Sequence, residues 1–185
     1  MGEQHEARAG REAEFTAWAR DAWGALVRSA VFLGCDLHEA QDVAQTTLVK
    51  AYAAWPRVAA ADDRTAYVYR MLVNALRDAR RRRSASERPA EHLPVDRSGG
   101  TPDAADGGAT ADAVHRAMAG LSPLNRQVVV LRYFAGLTER QTAEALDVPP
   151  GTVKSRLSRA LAHLAADDHL DDLRPGSPEL TGDHR

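Results

Sequence analysis

The 28 residues from Ser84 to Ala111, SASERPAEHLPVDRSGGTPDAADGGATA, constrain the fold more than any other feature of this chain. They hold three prolines, four glycines and no aromatic residue, and their few apolar residues follow no period. Such a segment cannot bury enough apolar surface to offset the entropy of ordering it. A structureless loop of this length is uncommon inside one compact domain, so it marks a domain boundary and reads as a flexible linker. The expected organisation is a first domain over 11–83, the linker over 84–111 and a second domain over 112–168. A disordered tail follows over 169–185, where Pro175 and Pro178 interrupt a polar sequence.

Both flanks of the linker show helical spacing. Phe15, Trp18, Ala22, Leu26, Ser29 or Ala30, and Leu33 recur at three- and four-residue steps, and Gly34 is placed to stop that helix. A second helix covers about Leu37–Trp55, with Ala40, Val43, Ala44, Leu48, Ala51 and Tyr52 as its apolar stripe and Pro56 beyond its end. A third covers about Asp63–Arg83, where Tyr67, Leu72, Ala75 and Leu76 face a core. After the linker, a short helix over Asp112–Gly120 leads to Ser122 and Pro123, an N-cap followed by proline at the first helical position. The helix they open carries Leu124, Val128, Leu131 and Phe134 and closes at Gly136. Two further helices span Glu139–Leu146 and Gly151–Leu164. Ala, Leu, Arg and Glu are abundant while aromatics make up 5%, which favours helix over sheet. The fold class is therefore all-α: two small helical domains, each marginal alone at this size.

Several function classes drop out. Cys35 is the one cysteine, so no internal disulfide forms, and it reads as a small buried hydrophobe. No apolar run approaches the ~20 residues of a membrane span, and the N-terminus carries no apolar signal segment. A soluble, cytoplasmic chain with no membrane partner is expected. There is no P-loop, no G-x-S-x-G and no metal-ligand spacing, and the seven histidines are scattered. Neither an enzyme nor a bound metal or cofactor is expected.

The net charge of −2 conceals a segregation. Residues 11–83 hold 12 basic and 9 acidic residues, and residues 112–164 hold 7 and 4. The linker has 2 against 5, and residues 165–185 have 2 against 6. Positive charge gathers on the helical segments, as a nucleic-acid-binding surface requires.

The sharpest local pattern is LTERQTAEALDVPPGTVKSRLSRAL at 137–161, a helix-turn-helix. Thr138 can cap its first helix, Ala143 is small where two helices approach, and the turn Asp147–Pro150 cannot continue a helix. Val153, Leu157, Leu161 and Leu164 then pack inward. Lys154, Ser155, Ser158 and Arg159 are left on the opposite face with Arg156 at its flank, as a recognition helix presents donors to bases and phosphates. The plain alternative is an ordinary solvated helix face.

Two further segments carry a resemblance. Residues 39–55, EAQDVAQTTLVKAYAAW, resemble the polymerase-binding helix of bacterial sigma factors through Asp42, Gln45, Leu48, Lys50, Tyr52 and Trp55. Residues 64–83, RTAYVYRMLVNALRDARRRR, are similar to the promoter-melting helix of that family and its basic extension. The helix-turn-helix resembles the family's C-terminal one, with Gly151–Arg156 reading G-T-V-K-S-R. Their order matches the extracytoplasmic-function class, which keeps only the second and fourth sigma domains. The resemblance covers about 15–83 and 112–165.

It implies roles for particular residues. Asp42, Gln45, Thr46 and Val49 would dock on the coiled coil of the largest subunit of core RNA polymerase, whose flap would meet the second domain. Asn74 would hold a flipped base of the minus-ten element, its carboxamide offering both donor and acceptor. Arg70, Arg77, Arg80 and Arg81 would track phosphates, although an arginine run also suits a helix C-terminus by charge alone. Thr152, Lys154, Ser155, Arg156, Ser158 and Arg159 would contact the minus-thirty-five element. The implied partners are core polymerase, promoter DNA and, as is usual in the class, an inhibitory anti-sigma protein, with the free chain a monomer. Departures from the family pattern are Thr46 in place of Glu, Tyr67 in place of Trp and Thr142 in place of an apolar residue, and the turn has Asp147 where simpler helix-turn-helix proteins favour Gly. The competing reading is a helix-turn-helix regulator that acts on DNA without polymerase.

Overall fold

A computed structural model of the chain describes residues 2–86, 108–167 and Leu170. The linker expected over 84–111 lies mostly outside these residues, its two ends being helical, and the tail expected over 169–185 lies outside them except for Leu170. The described residues form helices and no strand.

Helix α1 spans Gly2–Phe32 and so begins well before the apolar stripe does. Residues 8–14 are all solvent-exposed, so helix propensity rather than burial carries this extension. Gly34 ends the helix at φ +96°, donating its N–H to the Val31 carbonyl at 2.8 Å, while the Cys35 N–H reaches the Ala30 carbonyl at 3.1 Å. Helix α2, Leu37–Ala53, is capped by Asp36, whose Oδ1 accepts from the Glu39 N–H at 2.8 Å. Pro56 lies beyond the end of α2, as expected, and also sits in the first turn of a short helix α3, Trp55–Ala59, where its missing N–H would have had no helical partner. Helix α4, Arg64–Ser86, starts from Asp63, whose Oδ1 accepts from the Ala66 N–H at 2.8 Å.

Helices α1, α2 and α4 bury Leu26, Ala30, Leu33, Val43, Ala44, Val68, Leu72, Val73 and Leu76 between them. Two buried polar side chains here are satisfied: Ser29 Oγ and Tyr69 OH lie 3.0 Å apart, and Thr47 Oγ1 donates to the Val43 carbonyl. Phe15, Trp18, Tyr52 and Trp55 stack at one end with ring centroids 4.9–5.8 Å apart. The Arg64 guanidinium lies 4.9 Å from the Trp55 ring centroid.

The second domain holds α5 (Gly108–Gly120), α6 (Pro123–Val129), α7 (Glu139–Leu146) and α8 (Pro150–Ala165). Ser122 and Pro123 open α6 as the sequence predicts. Helix α6 continues into a π-helical turn, Val130–Phe134, closed by the Ala135 N–H on the Val130 carbonyl at 3.0 Å. Its core is Ala117, Met118, Leu121, Val128, Leu131, Leu137, Ala143, Leu146, Val153 and Ala160. Leu161, expected to pack inward, is exposed instead, as are Leu124 and Phe134. For Leu161 the reason is angular. At about 100° per residue, Ala160 returns to within ~20° of Val153, whereas Leu161 is ~80° away.

The two domains pack together. Helix α7 lies along α4, and the Phe32 ring at the end of α1 stacks on Phe134 with centroids 4.3 Å apart.

Candidate nucleic-acid interface

The helix-turn-helix is locally over-determined. Thr138 Oγ1 accepts from the Gln141 N–H at 3.3 Å, and Gln141 Oε1 accepts from the Thr138 N–H at 2.6 Å, a reciprocal capping box. Asp147 ends α7 in the left-handed region at φ 58°, a conformation that Asp tolerates better than most residues. The Val148 N–H closes that end on the Ala143 carbonyl at 3.0 Å. Pro150 opens α8, one residue before the expected start.

Val153 and Ala160 fix α8 against α6 and α7. The remaining face is the one expected: Lys154, Ser155, Ser158 and Arg159 are exposed together, with Thr152 and Arg156 half-buried at the edges. Ser155 Oγ donates to the Thr152 carbonyl at 3.1 Å, and Arg159 Nε donates to the Ser155 carbonyl at 3.1 Å. Lys154 makes no polar contact among the described residues, so its ammonium is available to a phosphate.

On α4, Arg70, Asn74 and Arg77 are exposed along one face at three- and four-residue steps, beside the half-buried Tyr67 and Met71. The four arginines expected to track phosphates separate here. Arg70 has no polar partner among the described residues. Arg77 Nη2 donates to the Leu146 carbonyl at 2.8 Å, Arg80 Nη2 to the Leu33 carbonyl at 2.7 Å, and Arg81 Nη2 to Asp78 at 2.6 Å. The structure therefore brings Arg70, Asn74 and Arg77 together, while Arg80 closes the end of α1.

On α2, Asp42, Gln45 and Val49 are exposed and Thr46 half-buried, one stripe at i, i+3, i+4 and i+7. Asp42 Oδ2 lies 3.3 Å from His38 Nδ1. Tyr52, assigned by its spacing to the buried stripe, lies with its ring on Phe15 and stays 46% exposed. It prolongs the apolar strip begun by Val49, which is 63% exposed. The signal for this was an aromatic three residues after an exposed valine.

Cys35 is buried, as expected, and burial followed by the nearby Glu39 carboxylate pushes its thiol up to about 12. Among the described residues, no group of His, Cys, Asp or Glu could hold a metal ion, and no helix is long and apolar enough to cross a membrane.

Residues 15–86 match the family profile described as Sigma-70 region 2, and residues 111–164 match Sigma-70, region 4. An RNA polymerase sigma-E factor of Streptomyces avermitilis is 38% identical over 89% of this chain and 90% of its own length. The ECF RNA polymerase sigma factor SigL of Mycobacterium tuberculosis is 31% identical over 75% of this chain and 80% of its own. Among solved structures, the sigma factor RpoE of Bartonella quintana, crystallised with the anti-sigma factor NepR, superposes with a TM-score of 0.63 at 25% identity, covering 82% of this chain and 94% of that one. Matches to both halves, in order, leave the polymerase-independent regulator without support. The exposed stripe on α2, the Asn74 face of α4 and the cationic face of α8 thus sit on a chain that belongs to the extracytoplasmic-function group of the sigma-70 family of RNA polymerase sigma factors.

Proposed function

We propose that this sigma factor directs promoter-specific initiation by positioning alone, as a cytoplasmic protein with no catalysis of its own. Asp42, Gln45, Thr46 and Val49 on α2 dock core RNA polymerase at the coiled coil of its largest subunit, with Tyr52 extending the contact, and the second domain meets the polymerase flap. Thr152, Lys154, Ser155, Arg156, Ser158 and Arg159 on α8 hold minus-thirty-five duplex. Asn74 receives an unstacked base of the minus-ten element, with Arg70 and Arg77 on flanking phosphates. Arg80 and Arg81 contribute positive potential at the end of α4, not free donors.

The observation that carries this reading is that three surfaces with different chemistry are presented by three separate helices: mixed polar and apolar on α2, carboxamide and guanidinium on α4, ammonium and hydroxyl on α8. Joining weak contacts on one chain raises their effective concentration, so neither domain need bind DNA tightly alone. Capturing an unstacked base favours strand opening without nucleotide hydrolysis. A protein that covers either domain would silence the factor, and an anti-sigma partner is proposed on that ground.

The test is reconstitution. The purified chain should co-elute with core polymerase and support run-off transcription from promoters mapped with the holoenzyme. Asp42→Ala with Gln45→Ala should weaken co-elution, while Asn74→Ala should leave co-elution intact and lower strand opening, read by permanganate reactivity. A chain that binds an operator tightly and never joins core polymerase overturns the proposal.

A further inference from the structure

We propose that Arg80 and Arg83, in the arginine run that ends α4, are positioning residues rather than phosphate contacts. They tie the back of α4 to the start of α2, so that polymerase docked on α2 holds the minus-ten face of α4 at a fixed aim. This deepens the reading of α2 as the docking helix and α4 as the minus-ten helix, and rests on it.

Angular position around α4 separates its arginines. At about 100° per residue, Arg70 and Arg77 lie within ~60° of Asn74, whereas Arg80 lies ~120° away and Arg83 ~180° away. A strand on the Asn74 face meets the first two and has the helix between it and Arg83. The other two are engaged behind α4. Arg80 Nη2 donates to the Leu33 carbonyl at 2.7 Å, at the corner between α1 and α2. Arg83 Nη2 lies 2.7 Å from Glu39 Oε1, and that glutamate side chain is only 12% exposed. Glu39 sits in the first turn of α2, where its N–H also donates to the capping Asp36. The two guanidinium groups thus hold both ends of the segment Leu33–Glu39.

These ties act where the apolar core gives out. Val43, Ala44, Leu72, Ala75 and Leu76 are buried and join the middles of α2 and α4. From Arg81 to Ala85 every side chain of α4 is exposed. The last turns of α4 therefore have no buried apolar side chain to fix them, and the pairs made by Arg80 and Arg83 supply the anchorage. Glu39 and Arg83 line one cleft of about 320 Å³ together with Asp42 and Thr46 of the docking stripe. A polymerase side chain seated on that stripe stands beside the tie, and a load applied to α2 there passes to α4 through the ion pair. Burial raises the Cys35 thiol most; Glu39 adds to it, and Arg80 and Arg83 oppose it, in keeping with all three charges gathering around the α1–α2 corner.

Glu39→Gln separates the two roles by the sign of its effect. It keeps the shape of the side chain and removes its charge. If Arg83 served phosphates, losing its carboxylate partner would free it, and strand opening would rise. With Arg83 as a positioning residue, the weakened tie should lower strand opening ~5-fold, read by permanganate reactivity of a promoter duplex with enough core polymerase to bind every chain. Arg83→Ala should lower opening by a similar factor. It should leave unchanged the slope of log affinity against log salt, measured by fluorescence anisotropy of the holoenzyme on a forked promoter oligonucleotide. Arg70→Ala, on the Asn74 face, should lower that slope by about 1. Glu39→Arg combined with Arg83→Glu should recover most of the lost opening, because the reversed charges still pair. Opening that rises or stays level in Glu39→Gln, or a slope that falls by about 1 in Arg83→Ala, overturns the positioning role. A parent holoenzyme that opens no promoter overturns the proposed function instead.

Discussion

Two buried threonines, one satisfied and one not, give a sharp test of the packing in each domain. Thr142 on α7 is fully buried, and its Oγ1 has no hydrogen-bond partner. Thr47 on α2 is equally buried, but its Oγ1 donates to the Val43 carbonyl at 2.8 Å. Threonine and valine match in shape and branching, so replacement changes little in rotamer or helix propensity. At position 142 the substitution removes a desolvated, unpaired hydroxyl, whose burial costs about 1–3 kcal/mol. It also adds a methyl worth about 0.8 kcal/mol. Thr142→Val should therefore stabilise the second domain by about 2 kcal/mol, near the lower end of that sum, since relaxation around the hydroxyl discounts the upper end. At position 47 the lost hydrogen bond, about 1 kcal/mol, roughly cancels the methyl. Thr47→Val should be near neutral. Urea melts followed by far-ultraviolet circular dichroism measure both. Tryptophan fluorescence isolates the first domain, because Trp18, Trp23 and Trp55 all lie there. If Thr142→Val melts earlier than the parent, or Thr47→Val gains as much, the assignment of the orphaned hydroxyl is wrong.

Three further outcomes are expected. Lys154→Ala should weaken duplex binding evenly across sequences and lower the slope of log affinity against log salt by about 1, read by fluorescence anisotropy at several salt concentrations. Gly34→Ala should destabilise the chain by about 1–2 kcal/mol in urea melts, because an L side chain is strained at φ +96° and its Cβ would meet Arg126 Nη1 at 2.6 Å. The raised Cys35 pKa means that the folded state holds its proton when the unfolded state has released it. Its contribution to stability is therefore level below the unfolded value of 9.0 and declines as pH rises from there toward about 12. Cys35→Ala should flatten that alkaline decline in melts taken across the range.

Much of the fold was legible because helices declare themselves through caps and period. Thr138, Glu139–Leu146 and the Ser122–Pro123 start were read correctly from residues whose side chains bond their own backbone. What escaped followed from geometry that spacing alone does not fix. A stripe read at three- or four-residue steps cannot choose between Ala160 and Leu161, and the larger residue was preferred although the smaller one is buried. The stretch before Phe15 has no apolar stripe, yet it is helical because Ala, Glu and Arg favour helix without packing. The α8 face was legible, since an inward line of Val153 and Leu157 determines what remains outside. The engagement of Arg77 and Arg80 was not, because their partners are the carbonyls of Leu146 and Leu33, groups that every residue carries.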